Sequence, residues 1–172
     1  MVLDDLFVDL GLSVKWAKWN LGATSETDYG NYYAWGETNT KQNYSWETYT
    51  YCKGTDSTLT KYCNNSAKGY NGYSDNLTIL EPIDDVANKT LGGNWRIPTK
   101  DEFAELTDTS KITTEIVMKN NIKGVEFTSL INNNKLFIPA AGSMSGSTLY
   151  SANEEFSIWT STLNERLNMS GT

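Results

Sequence analysis

Histidine is absent from the 172 residues of this chain. That removes the usual general base near neutral pH, the serine and cysteine triads built on it, and every zinc site that needs an imidazole. Cysteine is scarce. Cys52 and Cys63 are the only two thiols, too few for a four-cysteine zinc site. They either form one disulfide or lie buried as small apolar side chains, depending on the redox compartment. Apolar runs such as Leu136-Phe137-Ile138-Pro139-Ala140-Ala141 fall far short of the roughly 20 residues that span a bilayer, so no membrane span is expected. Positive charge is sparse and scattered: 14 Lys and Arg against 21 Asp and Glu give a formal net charge of -7. Phosphate-backbone binding rests on clustered cations, so nucleic acid is not an expected partner. The start, Met1-Val2-Leu3-Asp4-Asp5, is acidic where a signal peptide would be basic. The expectation is a signal already removed, or a protein that leaves its cell by lysis or within a larger particle.

Apolar residues make up 38% of the chain and charged residues 20%, a balance that folds, and the length suits one domain over residues 1–172. Residues 7–20 alternate well enough for a strand that ends near Trp19, with a Gly-marked bend. From Asp28 to Tyr51, aromatics interleave with Gly, Asn, Thr and Ser, which suits short strands and ordered loops. Residues 52–79 lack sustained periodicity and read as an irregular excursion. Asp84 or Asp85 then caps a short helix through Leu91, stopped by Gly92-Gly93. Thr99 and Glu102 form a capping box for a second helix from about Lys100 to Leu106. Residues 125–130 and 135–139 flank Asn132-Asn133-Asn134 as a hairpin with a polar turn, a Gly/Ser loop follows, and residues 156–161 make a further strand. Strands, two helices and more strands give an α+β fold.

Several blocks carry a resemblance. They are Val8-Asp9-Leu10-Gly11-Leu12 with Lys15-Trp16-Ala17, Asn20-Leu21-Gly22-Ala23-Thr24, and the run from Asp28-Tyr29-Gly30 through Tyr33-Ala34-Trp35-Gly36-Glu37-Thr38. Glu81-Pro82 with Asp84-Asp85, then Gly92-Gly93-Asn94-Trp95-Arg96-Ile97-Pro98-Thr99 with Glu102-Phe103, and Phe137-Ile138-Pro139-Ala140-Ala141-Gly142 continue the series in order. Together they resemble the FISUMP (major paralogous) domain family of Bacteroidetes-type bacteria and their phages. The Trp95 to Phe103 piece is also similar to an element of formylglycine-generating enzymes and of retroelement-diversified variable proteins. The resemblance implies a C-type-lectin-like fold, a small twisted antiparallel sheet with two short helices and long loops. It assigns Trp35, Trp95, Arg96, Pro98, Thr99 and Glu102 to the structural motif. It also implies a final strand beside the first, before which this chain stops. Residues 163–172 are therefore expected to be poorly ordered or extended. The edge beside residues 7–16 is expected to be open to strand addition by another chain or by sequence beyond residue 172, or else shielded by residues 1–6.

Ligand-binding candidates are Tyr44, Trp46, Tyr49 and Tyr51, since Tyr and Trp give rigid amphipathic contact area on loops. Glu81-Pro82 is similar to the calcium and sugar loop of true C-type lectins, but Ile83 stands where an amide ligand belongs, so no metal is expected there. Asp101, Glu102 and Glu105 share one short helix, whereas a glycosidase needs carboxyls facing each other across a cleft. Cys52 and Cys63 lie outside any motif matching the formylglycine-type oxidases. The expectation is no enzyme, no catalytic residue and no cofactor. The chain is expected to be a recognition or adhesion module for a surface glycan or protein, at a cell surface, secreted, or on a phage virion; the alternative is a structural or decoration protein of the virion.

Overall fold

Gly11 divides the first apolar stretch in two. Its φ of 72° lies where a side chain is disfavoured, and the Asp9 carboxylate accepts from its amide at 2.9 Å, so the chain turns back on itself. The single strand expected up to Trp19 is instead a hairpin of β1 (Phe7–Val8) and β2 (Trp16–Ala17), with Val8 opposite Trp16. The structure, a computed structural model, describes residues 6–163 and 166–170.

Residues 28–51, expected to hold short strands, contain none. A bridge from Tyr44 to Gly146 and a 3-10 turn at Trp46–Thr48 are the regular features there. The excursion over 52–79 is irregular as expected, and Asp75 gathers it by accepting from the amides of Tyr62, Cys63 and Leu77. After a 3-10 turn at Pro82–Asp84 comes α1 (Val86–Leu91), capped by Asp85, whose Oδ1 accepts from Ala87 and Asn88. Helix α2 (Lys100–Leu106) has Thr99 as N-cap and the reciprocal Glu102 bond of a capping box.

The largest sheet is antiparallel, in the order β3 (Ile112–Lys119), β4 (Ile122–Ser129), β5 (Lys135–Pro139). The polar turn between β4 and β5 is present, and the amides of Asn132 and Asn134 reach back to the carbonyl of Asp9. The turn thereby pins the N-terminal hairpin to the sheet. Strand β3 answers to no sequence expectation, although Asn120-Asn121 between alternating residues is a hairpin signal; both asparagines have positive φ, as a tight two-residue turn requires. One sheet face presents Ile112, Val125, Phe127, Leu136 and Ile138. These residues form the core with Phe103 and Leu106 of α2, Leu10, Trp16 and Phe156. All but Trp16 and Ile138 are less than 6% exposed, which at about 25 cal/mol per Å² makes this cluster the main source of stability.

The Gly/Ser segment expected as a loop is a short hairpin of β6 (Ser143–Ser145) and β7 (Thr148–Tyr150), turned at Gly146 with φ 57°. Strand β8 (Glu155–Trp159) pairs antiparallel with β9 (Arg166–Ser170). β9 is thus extended, but it lies on β8 and not beside β1, and among the described residues β1 and β2 pair only with each other. Residues 1–5, 164–165 and 171–172, on which the shielding and end-of-chain expectations partly fall, lie outside the described residues. Among the described residues, four small antiparallel sheets and two short α-helices make an α+β protein. Among the described residues, no helix is long and apolar enough to cross a membrane.

Candidate binding cleft

A loop without strand ladders must satisfy its backbone groups by other means. In residues 28–51 the aromatic side chains do this. Tyr44 donates its hydroxyl to the carbonyl of Tyr32 at 2.6 Å, Tyr49 to that of Trp35 at 3.0 Å, and Tyr32 to that of Ala141 at 2.6 Å. The indole of Trp35 donates to Thr160 at 2.7 Å, and Trp159 of β8 donates back to Tyr33 at 3.0 Å. The loop is thereby laced to the end of β5 and to β8.

Residues of this loop, with Leu136, Phe137 and Ile138 of β5 and Ser157, Ile158 and Trp159 of β8, line a cleft of about 1090 Å³. Aromatic residues make up a third of its lining, among them Trp19, Tyr33, Trp35, Trp46, Trp95 and Trp159. Trp19, Trp46 and Trp159 are each more than a third exposed. Arg96, Lys15, Lys41 and Lys61 also line it, yet each is ion-paired: Arg96 with Glu102, Lys15 with Asp9 at 3.7 Å, Lys41 with Glu37 at 2.7 Å, and Lys61 with Asp84 at 2.6 Å. Trp16 Nε1 and Ser45 Oγ, both on residues of the wall, are buried without a hydrogen-bond partner among the described residues.

Of the four binding candidates, the structure brings Tyr44, Trp46 and Tyr49 to this cleft. Tyr51 turns the other way, into a recess of about 300 Å³ with Glu37 and Asp84. The rings do not form a flat platform. Trp46 meets Tyr49 edge-on at 5.6 Å and 87°, and Tyr49 meets Tyr51 at 5.8 Å and 89°. The series continues through Tyr62 to Trp35, each contact again edge-on, the geometry that ring quadrupoles favour.

That series rests on Asp84, a residue whose role the sequence did not disclose. Asp85 is the helix cap, and its second oxygen accepts from the amide of Ile97 at 2.8 Å, which ties α1 to the Trp95–Pro98 segment. Asp84, 7% exposed, accepts from Tyr51 at 2.5 Å, Tyr62 at 2.6 Å and Lys61 at 2.6 Å. Burial disfavours its charge, but the bonds from Lys61, Tyr51 and Tyr62 outweigh burial and hold the carboxyl below its ordinary range. Burial, then the bond to Asp84, pushes the Tyr62 hydroxyl up to about 12, and the same two causes raise Tyr51. Spacing gave no clue, since the three partners lie 22 to 33 positions away.

Of the motif residues, Trp35, Trp95, Arg96, Pro98 and Glu102 line the cleft, and Thr99 does not. The carbonyl of Pro98 accepts from Ser161 at 2.8 Å, and Thr99 caps α2. Glu102 belongs both to the capping box and to a two-pronged pair with Arg96, an ion pair that the capping reading alone missed. Glu105 accepts from the amide of Ser13 at 2.9 Å, and Asp101 is exposed. Glu81 pairs with Lys61 at 2.5 Å. Cys52 and Cys63 are free and buried, their sulfurs near the carbonyls of Trp46 and Asn65.

Comparison with known proteins gives no kin. The chain matches no family model, no curated protein and no solved structure.

Proposed function

We propose that this chain is a non-enzymatic recognition module that holds a neutral glycan in the aromatic cleft of a C-type-lectin-like scaffold. Its setting is a bacterial surface or a phage particle, as the resemblance to the FISUMP domains implies. The observation that carries the reading is the wall composition: indole and phenol rings beside cations that are all internally paired. Flat ring faces stack on the C–H faces of sugars at little entropic cost. Lys41 and Lys61, the two least exposed of these cations, offer little to an anion, because capturing one would first break a partly buried ion pair. The cleft, at about 1090 Å³, is slightly larger than the usual ligand site of about 300–1,000 Å³, which suits several sugar units better than one.

The test is a glycan array probed with the intact chain and with Trp46→Ala and Trp19→Ala. Trp46 is half exposed, so its loss should cost on the order of 1–2 kcal/mol of stability, below the roughly 3–5 kcal/mol of a buried Trp, while abolishing binding. An intact chain that retains no glycan, or variants that bind as well as it does, would overturn the proposal.

A further inference from the structure

Strand β3 is the outer strand of the main sheet, and its free edge has a definite pattern. A two-residue turn makes Lys119 and Ile122 the bonded pair that closes the hairpin. Odd-numbered residues of β3 therefore bond inward to β4, consistent with the carbonyl of Lys111 accepting from Leu130 at 2.8 Å. Thr114, Ile116 and Met118 point their amides and carbonyls outward. Among the described residues, none of these groups takes part in a backbone bond outside the ladder. Ile116 and Met118 are 51% and 60% exposed, so the edge offers apolar side chains together with unpaired backbone. Edges of this kind are normally blunted by proline, a bulge or inward charge, and β3 has none of the three.

Charge selects the occupant. Glu115 stands directly opposite Glu126 across the β3–β4 ladder, a like-charge pair that opposes folding. Glu126 is answered by Lys135 at 2.5 Å and by Lys119 at 3.1 Å, a lysine that also pairs with Glu26 at 3.0 Å, whereas Glu115 has no cation among the described residues. We infer that β3 pairs antiparallel with β3 of a second copy of this chain, about a two-fold axis through Val117. In that register the outward-bonding residues meet each other, Ile116 opposite Met118, as the ladder requires. Val117 meets Val117 on the axis. Glu115 comes opposite Lys119 of the second copy in a non-bonded pair, where side chains are closest, and Glu126 keeps Lys135 when the Lys119 ammonium is shared with Glu115. A two-fold axis through Glu115 would instead set Glu115 against itself. The result is a continuous six-stranded sheet, with the free edge moved to where β5 ends. This is a different edge from the one beside residues 7–16 that the sequence suggested.

Sedimentation equilibrium on the full chain, from roughly micromolar to millimolar as a small interface demands, should show a mass rising toward twice 19.3 kDa. Glu115→Lys places lysine against Lys119 of the second copy and should weaken association by at least about tenfold. Its unfolding midpoint should match or exceed that of the wild type, because the repulsion from Glu126 becomes attraction. Ile116→Lys, a charge at a position exposed in the single chain, should likewise keep the fold and lose the dimer. Amides of Thr114, Ile116 and Met118 should become protected from exchange as concentration rises. A wild-type chain that stays monomeric throughout, a Glu115→Lys chain that associates as well as wild type, or exchange at those three amides that ignores concentration would each overturn the inference.

Discussion

Replacing Asp84 by Asn tests whether the aromatic series stands on a charge. The carboxylate has two oxygens and three donors, with Tyr51 on Oδ1 and both Tyr62 and Lys61 on Oδ2. An amide keeps one acceptor oxygen and sets an NH₂ in place of the other, so at least one of the three donors loses its acceptor and the bonds that remain lose the anionic one. The difference is about 1 kcal/mol per bond, or about 3 kcal/mol in all. For a chain of this size that lowers the melting temperature by about 6–12 °C. Tyr51→Phe removes one donor and should cost about 1 kcal/mol. The pH dependence gives a second check. Asp84 ionises more readily folded than unfolded, so its contribution is full above the unfolded pKa of roughly 3.9 and fades as pH falls through the lower folded value. Urea unfolding of wild type and variant should therefore differ most at pH 7 and converge below about pH 4. A gap under about 0.5 kcal/mol at neutral pH, or one that stays constant down to pH 2, would refute the account.

Two smaller tests address packing and thiols. A Cβ at Gly124 would lie 2.3 Å from Phe137 Cζ and 2.6 Å from the carbonyl oxygen of Ile138, so Gly124→Ala should cost about 1–3 kcal/mol by overpacking, read from the urea midpoint; a neutral result would show that the Phe137 ring can move aside. Cys52 is 9% exposed and Cys63 1%, so alkylation without reductant should be slow in the native protein and should add two adducts once it is unfolded; an unfolded chain that takes up none would reveal a disulfide.

Short-range chemistry was legible in the sequence and long-range chemistry was not. The Thr99 and Glu102 box, the Asp85 cap and the β4–β5 hairpin all follow from groups within a few residues of one another, where geometry leaves few choices. The adjacent pair Asp84-Asp85 shows the limit. Local rules say that one of them caps α1, but the partners of the other are set by how residues 51–62 fold back, and no spacing encodes that. Over residues 28 to 51 the expected ordered loops are present but the expected short strands are not, for a related reason. Strand propensity describes a side chain that fits a pleated surface, yet here Tyr32, Tyr44 and Tyr49 spend their hydroxyls on backbone carbonyls, and no ladder forms. Strand β3 was readable from Asn120-Asn121 and its alternation, but Thr113, Thr114 and Glu115 dilute the apolar signal because the outer strand faces water on much of its surface.

The same lacing bears on what the cleft can distinguish. A sugar is told from its epimers by hydrogen bonds to individual hydroxyls, and a wall group already bonded inside the protein cannot supply one without a cost. The hydroxyls of Tyr32, Tyr44 and Tyr49 are committed to the backbone, and the charged groups are committed to each other. What remains on the wall is exposed ring surface on Trp19 and Trp46, with Trp16 Nε1 and Ser45 Oγ, which have no partner among the described residues. On the proposed reading, such a cleft selects by the shape and apolar faces of a chain of sugars more than by the stereochemistry of any one hydroxyl. Affinity should then vary little with salt, because among the described residues each cation lining the cleft has a carboxylate partner.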